Sequence, residues 1–169
     1  MIQLTTYNFE FGVHNVDINL DKKFIQKIKK IKLPKHKFNK NNFNEKTDVE
    51  LMNFLDLNLK PYFKEVAKKL NKEEYNLINC WVQKYEKTNF HDCHTHILTD
   101  YSFILYIECS EKSSPTIFYN PLYPYVDLSR LEIKPSSGKL LVFNGCIPHM
   151  VPPNEDNKRL IVSGNIAFQ

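Results

Sequence analysis

The sequence predicts an α+β fold: a double-stranded β-helix, or jelly roll, flanked by helices from the N-terminal part of the chain. Three observations predict it. Apolar residues recur at helical spacing only within residues 1–72, alternation of period two takes over from Tyr75, and proline and serine cut the second half into short runs. Helices that come first and short strands that follow suit a barrel or jelly roll carrying helices on its outside. With 169 residues the chain suits one compact domain, in which residues 1–72 supply a strand and supporting helices and residues 75–168 the core with its site.

In order, an opening strand is expected over Ile2 to Phe9. Phe24, Ile25, Ile28 and Ile31 then repeat at helical spacing behind Asp21, a capping residue. Lys32 to Lys46 reads as a polar, basic loop. Thr47-Asp48-Val49-Glu50 matches a capping box and opens a second helix whose apolar face runs Leu51, Leu55, Leu59, Tyr62, Val66, Leu70. Pro61 is expected to kink or split it. From Tyr75 the alternation of Asn79, Trp81, Gln83 and Tyr85 with Cys80, Val82 and Lys84 marks a strand. Further strands are expected at Phe103 to Glu108, Thr116 to Tyr119, Leu131 to Lys134, Lys139 to Phe143 and Leu160 to Phe168, with turns at Pro121 to Pro124 and Pro135 to Gly138.

Composition narrows the function classes. The formal charge is +4, but Arg130 and Arg159 are the only arginines among 23 basic residues, and base recognition leans on arginine forks. The positive charge therefore reads as a solvated surface, not a nucleic-acid interface. Cys80, Cys93, Cys109 and Cys146 form no C-x-x-C pair and no signal peptide precedes the first polar turn, so free thiols in a reducing, cytoplasmic setting are expected. No apolar run approaches the roughly 18 residues that span a membrane.

His91, His94 and His96 fall within six positions, and His149 follows much later, after Pro148. On an extended strand Asp92, His94 and His96 share one face, while His91 is expected to point away. His94 and His96 can then hold one ion, and His149 can complete a facial site from a neighbouring strand. Imidazoles alone suit Fe(II), Zn or Cu. Asp92 is a minor candidate, either as a carboxylate ligand or as a partner of an imidazole. Arg159 shares a face with Ile161, Ser163 and Asn165, and an arginine aimed into a barrel is costly unless it meets an anion such as the carboxylate of 2-oxoglutarate. Taken alone, it reads rather as a surface arginine.

The fragments Trp81 to Tyr85, His94-Thr95-His96, Ser102 to Tyr106, Pro135 to Gly138, His149 to Pro152 and Arg159 to Asn165, in this order over residues 75–168, resemble the 2-oxoglutarate/Fe(II)-dependent oxygenases, with prolyl-hydroxylase-like relatives. The resemblance implies that His94, His96 and His149 bind iron and that Arg159 anchors the far carboxylate of 2-oxoglutarate. Tyr106, ten positions past the H-x-H pair, matches a tyrosine used for the same carboxylate. Tyr85, Gln83 and Ser163 would line the cosubstrate pocket. It also implies O2 as a co-reactant and a small-molecule or peptide substrate. Selectivity is expected in loops such as Cys109 to Pro115 and Pro121 to Arg130, where Tyr119, Tyr123 and Tyr125 are candidates for an entrance, although tyrosines in a proline-rich turn more often simply pack it. One departure stands out: His96 occupies the place where most of these enzymes carry Asp or Glu. Two rivals follow, a cupin-like three-histidine dioxygenase that works without 2-oxoglutarate, and a non-catalytic jelly roll that binds a metal or small ligand. Oligomeric state leaves no sequence signature.

Overall fold

The structure, a computed structural model, describes residues 11–35, 38–43, 48–96, 99–122 and 128–169. The expected strand Ile2 to Phe9 and the residues Thr47, Tyr123 and Tyr125 lie outside them. Ten strands and two helices follow in the order β1 Val13–Asp17, α1 Lys22–Lys29, β2 Lys40–Asn41, α2 Val49–Lys69, β3 Tyr75–Tyr85, β4 His91–His94, β5 Tyr101–Glu108, β6 Thr116–Tyr119, β7 Arg130–Ile133, β8 Lys139–Asn144, β9 His149–Val151 and β10 Arg159–Phe168. They build a six-stranded sheet, β1-β8-β5-β10-β3-β2, and a four-stranded sheet, β4-β9-β6-β7. Every strand pair is antiparallel.

Alternation along the central strands makes two cores. Phe103, Leu105 and Ile107 of β5, Leu140 and Val142 of β8, and Leu160 and Val162 of β10 face the helices. Their neighbours Ile104, Tyr106, Leu141, Phe143 and Ile161 face the other way and pack with Phe118 and Val151 of the smaller sheet. The larger sheet thus carries helices on one face and the smaller sheet on the other, and the site lies between the sheets.

Asp21 caps α1 by accepting from Phe24 N at 2.7 Å, as its position predicts. Asp48 caps α2 through Leu51 N at 2.9 Å. The buried face of α2 is Leu51, Leu55, Leu59, Phe63, Val66 and Ala67, so Phe63 takes the place expected for Tyr62. Pro61 does not split this helix, which runs unbroken over 21 residues. It sits on the solvent side, and the carbonyl it leaves without a donor belongs to exposed Leu57, where water can bind it. The segment expected as a loop from Lys32 to Lys46 includes β2, which pairs with the end of β3 at Lys40↔Lys84 and Asn41↔Gln83.

Gly138 ties three strands together. Its carbonyl accepts from Ile18 N at 2.6 Å just past β1, and its N–H donates to Tyr106 O at 2.8 Å on β5. Its φ is +87°, and a Cβ there would lie 2.2 Å from Ile18 O. Gly138→Ala is expected to cost about 2 kcal/mol or more, from the left-handed backbone and the forced displacement of Ile18. An unchanged urea midpoint with unchanged slope would refute this.

Candidate metal centre and adjoining cavity

β4 and β9 bring the histidines together. His94 stands opposite His149 in their antiparallel register, and His96 follows β4, its backbone N–H held by Gly145 O at 2.7 Å. One nitrogen of each of His94, His96 and His149 lies within 4.8 Å of the others. The ring centroids are 4.3 Å apart for His94 and His149 and 5.3 Å for each other pair. Among the described residues no carboxylate or thiol joins this group.

Backbone carbonyls set the tautomers. His94 Nδ1 lies 2.8 Å from Asp92 O and His149 Nδ1 lies 3.0 Å from Ile147 O. A carbonyl only accepts, so both Nδ1 atoms carry the proton and both Nε2 atoms keep a lone pair for a metal. Asp92 therefore acts on the site through its backbone, while its side chain is exposed. Burial keeps the three rings neutral. It lowers His149 well below the usual imidazole range, lowers His94, and, with His94 nearby, pushes His96 down to about 4.

Because these groups hold fewer protons folded than unfolded, the metal-free protein is expected to lose stability as pH falls below about 6.5 and on toward about 4, and to be insensitive to them above neutrality. Melting temperatures of chelator-treated protein between pH 8 and 5 test this. A flat profile would show that the histidines are not buried neutral groups.

His91 does not point away. Its ring stacks on that of His94 at 4.2 Å, and its Nδ1 lies 3.2 Å from the Tyr85 hydroxyl. The β4–β9 register shifts between His91 and His94, and this irregularity breaks the strict alternation that would have placed His91 on the far face.

Behind the histidines, Arg159 opens β10 opposite Tyr85 and is fully buried. Its Nε donates to Ser114 O at 3.2 Å and its Nη2 to Thr116 Oγ1 at 2.8 Å, while Nη1 has no partner. Its guanidinium carbon lies 4.5 Å from the Tyr85 ring centre and 5.4 Å from that of Tyr106. Burial raises the Tyr85 hydroxyl to about 12, against the lowering pull of Arg159, so it is a neutral donor that binds Gln83 Oε1 at 2.7 Å. Tyr106 turns its hydroxyl to Thr116 Oγ1 at 2.6 Å, away from the imidazoles. Tyr85, Gln83 and Ser163 line a cavity of about 20 Å³ against His94, His96 and His149, room for about one water. Arg159 and Tyr106 do not line it. Tyr85 touches both the cavity and the arginine.

A larger cavity of about 290 Å³ adjoins the small one and is lined by His91, His94 and His96. Its aromatic walls are Phe38, Phe43 and Trp81, and its polar walls are carboxamides. Residues 38–43 form much of this wall, whereas Cys109 to Pro115 contributes nothing to it. Tyr119 lies elsewhere, on a groove with Phe11 and Leu131. Of the carboxamides in this wall, sequence reasoning named Gln83 as pocket-lining and missed Asn39 and Asn41, which lie in a stretch read as basic loop.

No known family profile and no curated protein sequence matches the chain. Solved structures do. An oxidoreductase of the 2OG-Fe(II) oxygenase family from Burkholderia pseudomallei superposes with a TM-score of 0.70 at 13% identity, over 92% of this chain and 84% of that one. The viral collagen prolyl hydroxylase of Paramecium Bursaria Chlorella virus-1, in a truncated form, gives 0.61 at 15% identity over 98% of both chains. HygX from Streptomyces hygroscopicus, solved with nickel and 2-oxoglutarate, gives 0.63 at 10% identity over 93% of this chain and 83% of that one. Two antiparallel sheets with helices on one face, a facing trio of imidazoles and these superpositions lead to one conclusion: the chain has the fold of the 2-oxoglutarate/Fe(II) oxygenases.

Proposed function

We propose that this protein is a 2-oxoglutarate- and Fe(II)-dependent oxygenase, built as a single-domain double-stranded β-helix. His94, His96 and His149 would hold the iron. The observation that carries the reading is the convergence of three neutral imidazoles, two with their tautomer fixed so that Nε2 is free, in a fold shared with such enzymes. Arg159 selects the cosubstrate: a buried guanidinium held by a carbonyl and a hydroxyl, with a free N–H, suits the distal carboxylate of 2-oxoglutarate. Tyr106 and Thr116 hold that guanidinium in place, and Ser163, Gln83 and Tyr85 bound the space in front of it.

When bound, iron and 2-oxoglutarate supply an oxidation by O2 in which the keto acid is decarboxylated to succinate and CO2 and a substrate C–H bond is hydroxylated. The chain's own part is to orient the imidazoles through Asp92 O and Ile147 O, to bind the anion and to exclude water. The small inner cavity means that Tyr85 and its neighbours must yield before the keto acid enters.

Anaerobic addition of Fe(II) and then 2-oxoglutarate should produce the visible charge-transfer band of the chelate. Iron binding without a band at saturating 2-oxoglutarate would instead support the cupin-like three-histidine dioxygenase, which oxidises a thiol or diketone without this cosubstrate. His96 in place of a carboxylate is the observation that favours this second reading. Succinate release under O2 separates the two.

A further inference from the structure

The carboxamides on the wall of the larger cavity share one hydrogen-bonding character. Every carboxamide oxygen among its described residues already accepts a hydrogen bond. Asn39 Oδ1 accepts from Asn41 Nδ2 at 2.7 Å, Asn41 Oδ1 from Phe43 N at 2.9 Å, and Gln83 Oε1 from the Tyr85 hydroxyl at 2.7 Å. Asn79 Oδ1 accepts from Asn165 Nδ2 at 2.8 Å, and Asn165 Oδ1 from Ser102 Oγ at 2.8 Å. The first pair is pinned by the backbone. Phe43 N can only donate, so Asn41 must present its oxygen there and its NH2 to Asn39, which leaves Asn39 Nδ2 over.

Asn39 is 3% exposed, and its Nδ2 lies close enough to the Tyr85 hydroxyl to act on it as a donor but completes no hydrogen bond of standard geometry. Asn79 Nδ2 and Gln83 Nε2 likewise make no hydrogen bond among the described residues. Among the described residues no Lys, Arg, Asp or Glu lines the cavity. A buried donor without a partner is destabilising, so its place beside a cavity of about 290 Å³ points to an acceptor that arrives with a ligand.

We propose that this cavity takes an uncharged amide or lactam whose carbonyl oxygen accepts from Asn39 Nδ2 and whose apolar body lies against Phe43 and Trp81. That this ligand is the compound oxidised rests on the oxygenase reading; that the cavity binds it does not. In the metal-free protein a carboxylate or an ammonium would enter without an opposite charge among the described wall residues.

Trp81, the chain's single tryptophan, lines the cavity and reports its occupancy by fluorescence. N-Methylbenzamide, benzoate and benzylamine are titrated into the metal-free protein, and again into protein holding Fe(II) and 2-oxoglutarate under argon. The amide alone is expected to give a saturable change. Asn39→Asp keeps the acceptor for Asn41 and turns the free donor into an acceptor, so it should weaken the amide at least about tenfold. If that variant does not fold, Asn79→Asp, at a half-buried position, is read in the same way. Benzoate binding to the metal-free protein as well as the amide, or an amide affinity unchanged in every folded variant, would overturn the proposal. Amide binding without a charge-transfer band would uphold it while removing the oxygenase reading, and a band without amide binding would do the reverse.

Discussion

His149→Ala is expected to abolish the charge-transfer band and to lower Fe(II) affinity by more than about 100-fold, because losing even a hydrogen-bond partner of a ligand commonly costs 10–100-fold. His149 is the most buried of the three imidazoles, packed 4.8 Å from Phe143 and 5.6 Å from Phe118 between ring centres. Alanine also opens a gap there, at a cost of about 2–3 kcal/mol. The two effects separate by experiment: a loss of packing lowers the melting temperature with or without iron, whereas loss of a ligand removes the stabilisation that iron confers. Undiminished iron-dependent stabilisation in a folded His149→Ala protein would exclude His149 as a ligand.

Arg159→Met carries the second large effect, and its two parts run in opposite directions. The guanidinium is a buried charge without a carboxylate partner, and replacing such a group by an apolar side chain of similar length is often neutral or stabilising. The lost contacts with Tyr85, Tyr106 and Ser114 O oppose that gain, so the free protein should keep its stability within about 1 kcal/mol. Binding of 2-oxoglutarate should fall by more than about 30-fold, the cost of removing one partner from a buried charge pair. A titration of the charge-transfer band gives the affinity and a denaturation curve the stability. Wild-type affinity in the variant would remove Arg159 from the site.

The fold was legible where side chains face environments of different polarity. The period-two runs of β3, β5, β8 and β10 are buried on both faces or sharply one-sided, and their bounds follow the sequence within a residue or two. β1 was not legible. Val-His-Asn-Val-Asp is an edge strand whose alternation is nearly all polar or half-buried, so it carries little hydrophobic signal. In the site, the H-x-H pair and His149 could be read because ligand chemistry restricts residue type. His91 was misplaced because alternation assumes a regular strand, and the β4–β9 irregularity leaves no mark in composition. Asn39 and Asn41 were read as loop because their burial comes from a two-residue pairing with β3, too short for any periodic pattern.

The tight fit around Tyr85 has a kinetic consequence. If Arg159 anchors 2-oxoglutarate as proposed, the roughly 20 Å³ free against the imidazoles requires Tyr85 to swing aside before the keto acid reaches it. The observed rate of chelate formation should then level off at high 2-oxoglutarate, at the first-order rate of that opening. The apparent affinity is weakened by the open fraction. On that reading, the residue that covers the arginine would also set the rate at which the cosubstrate site fills.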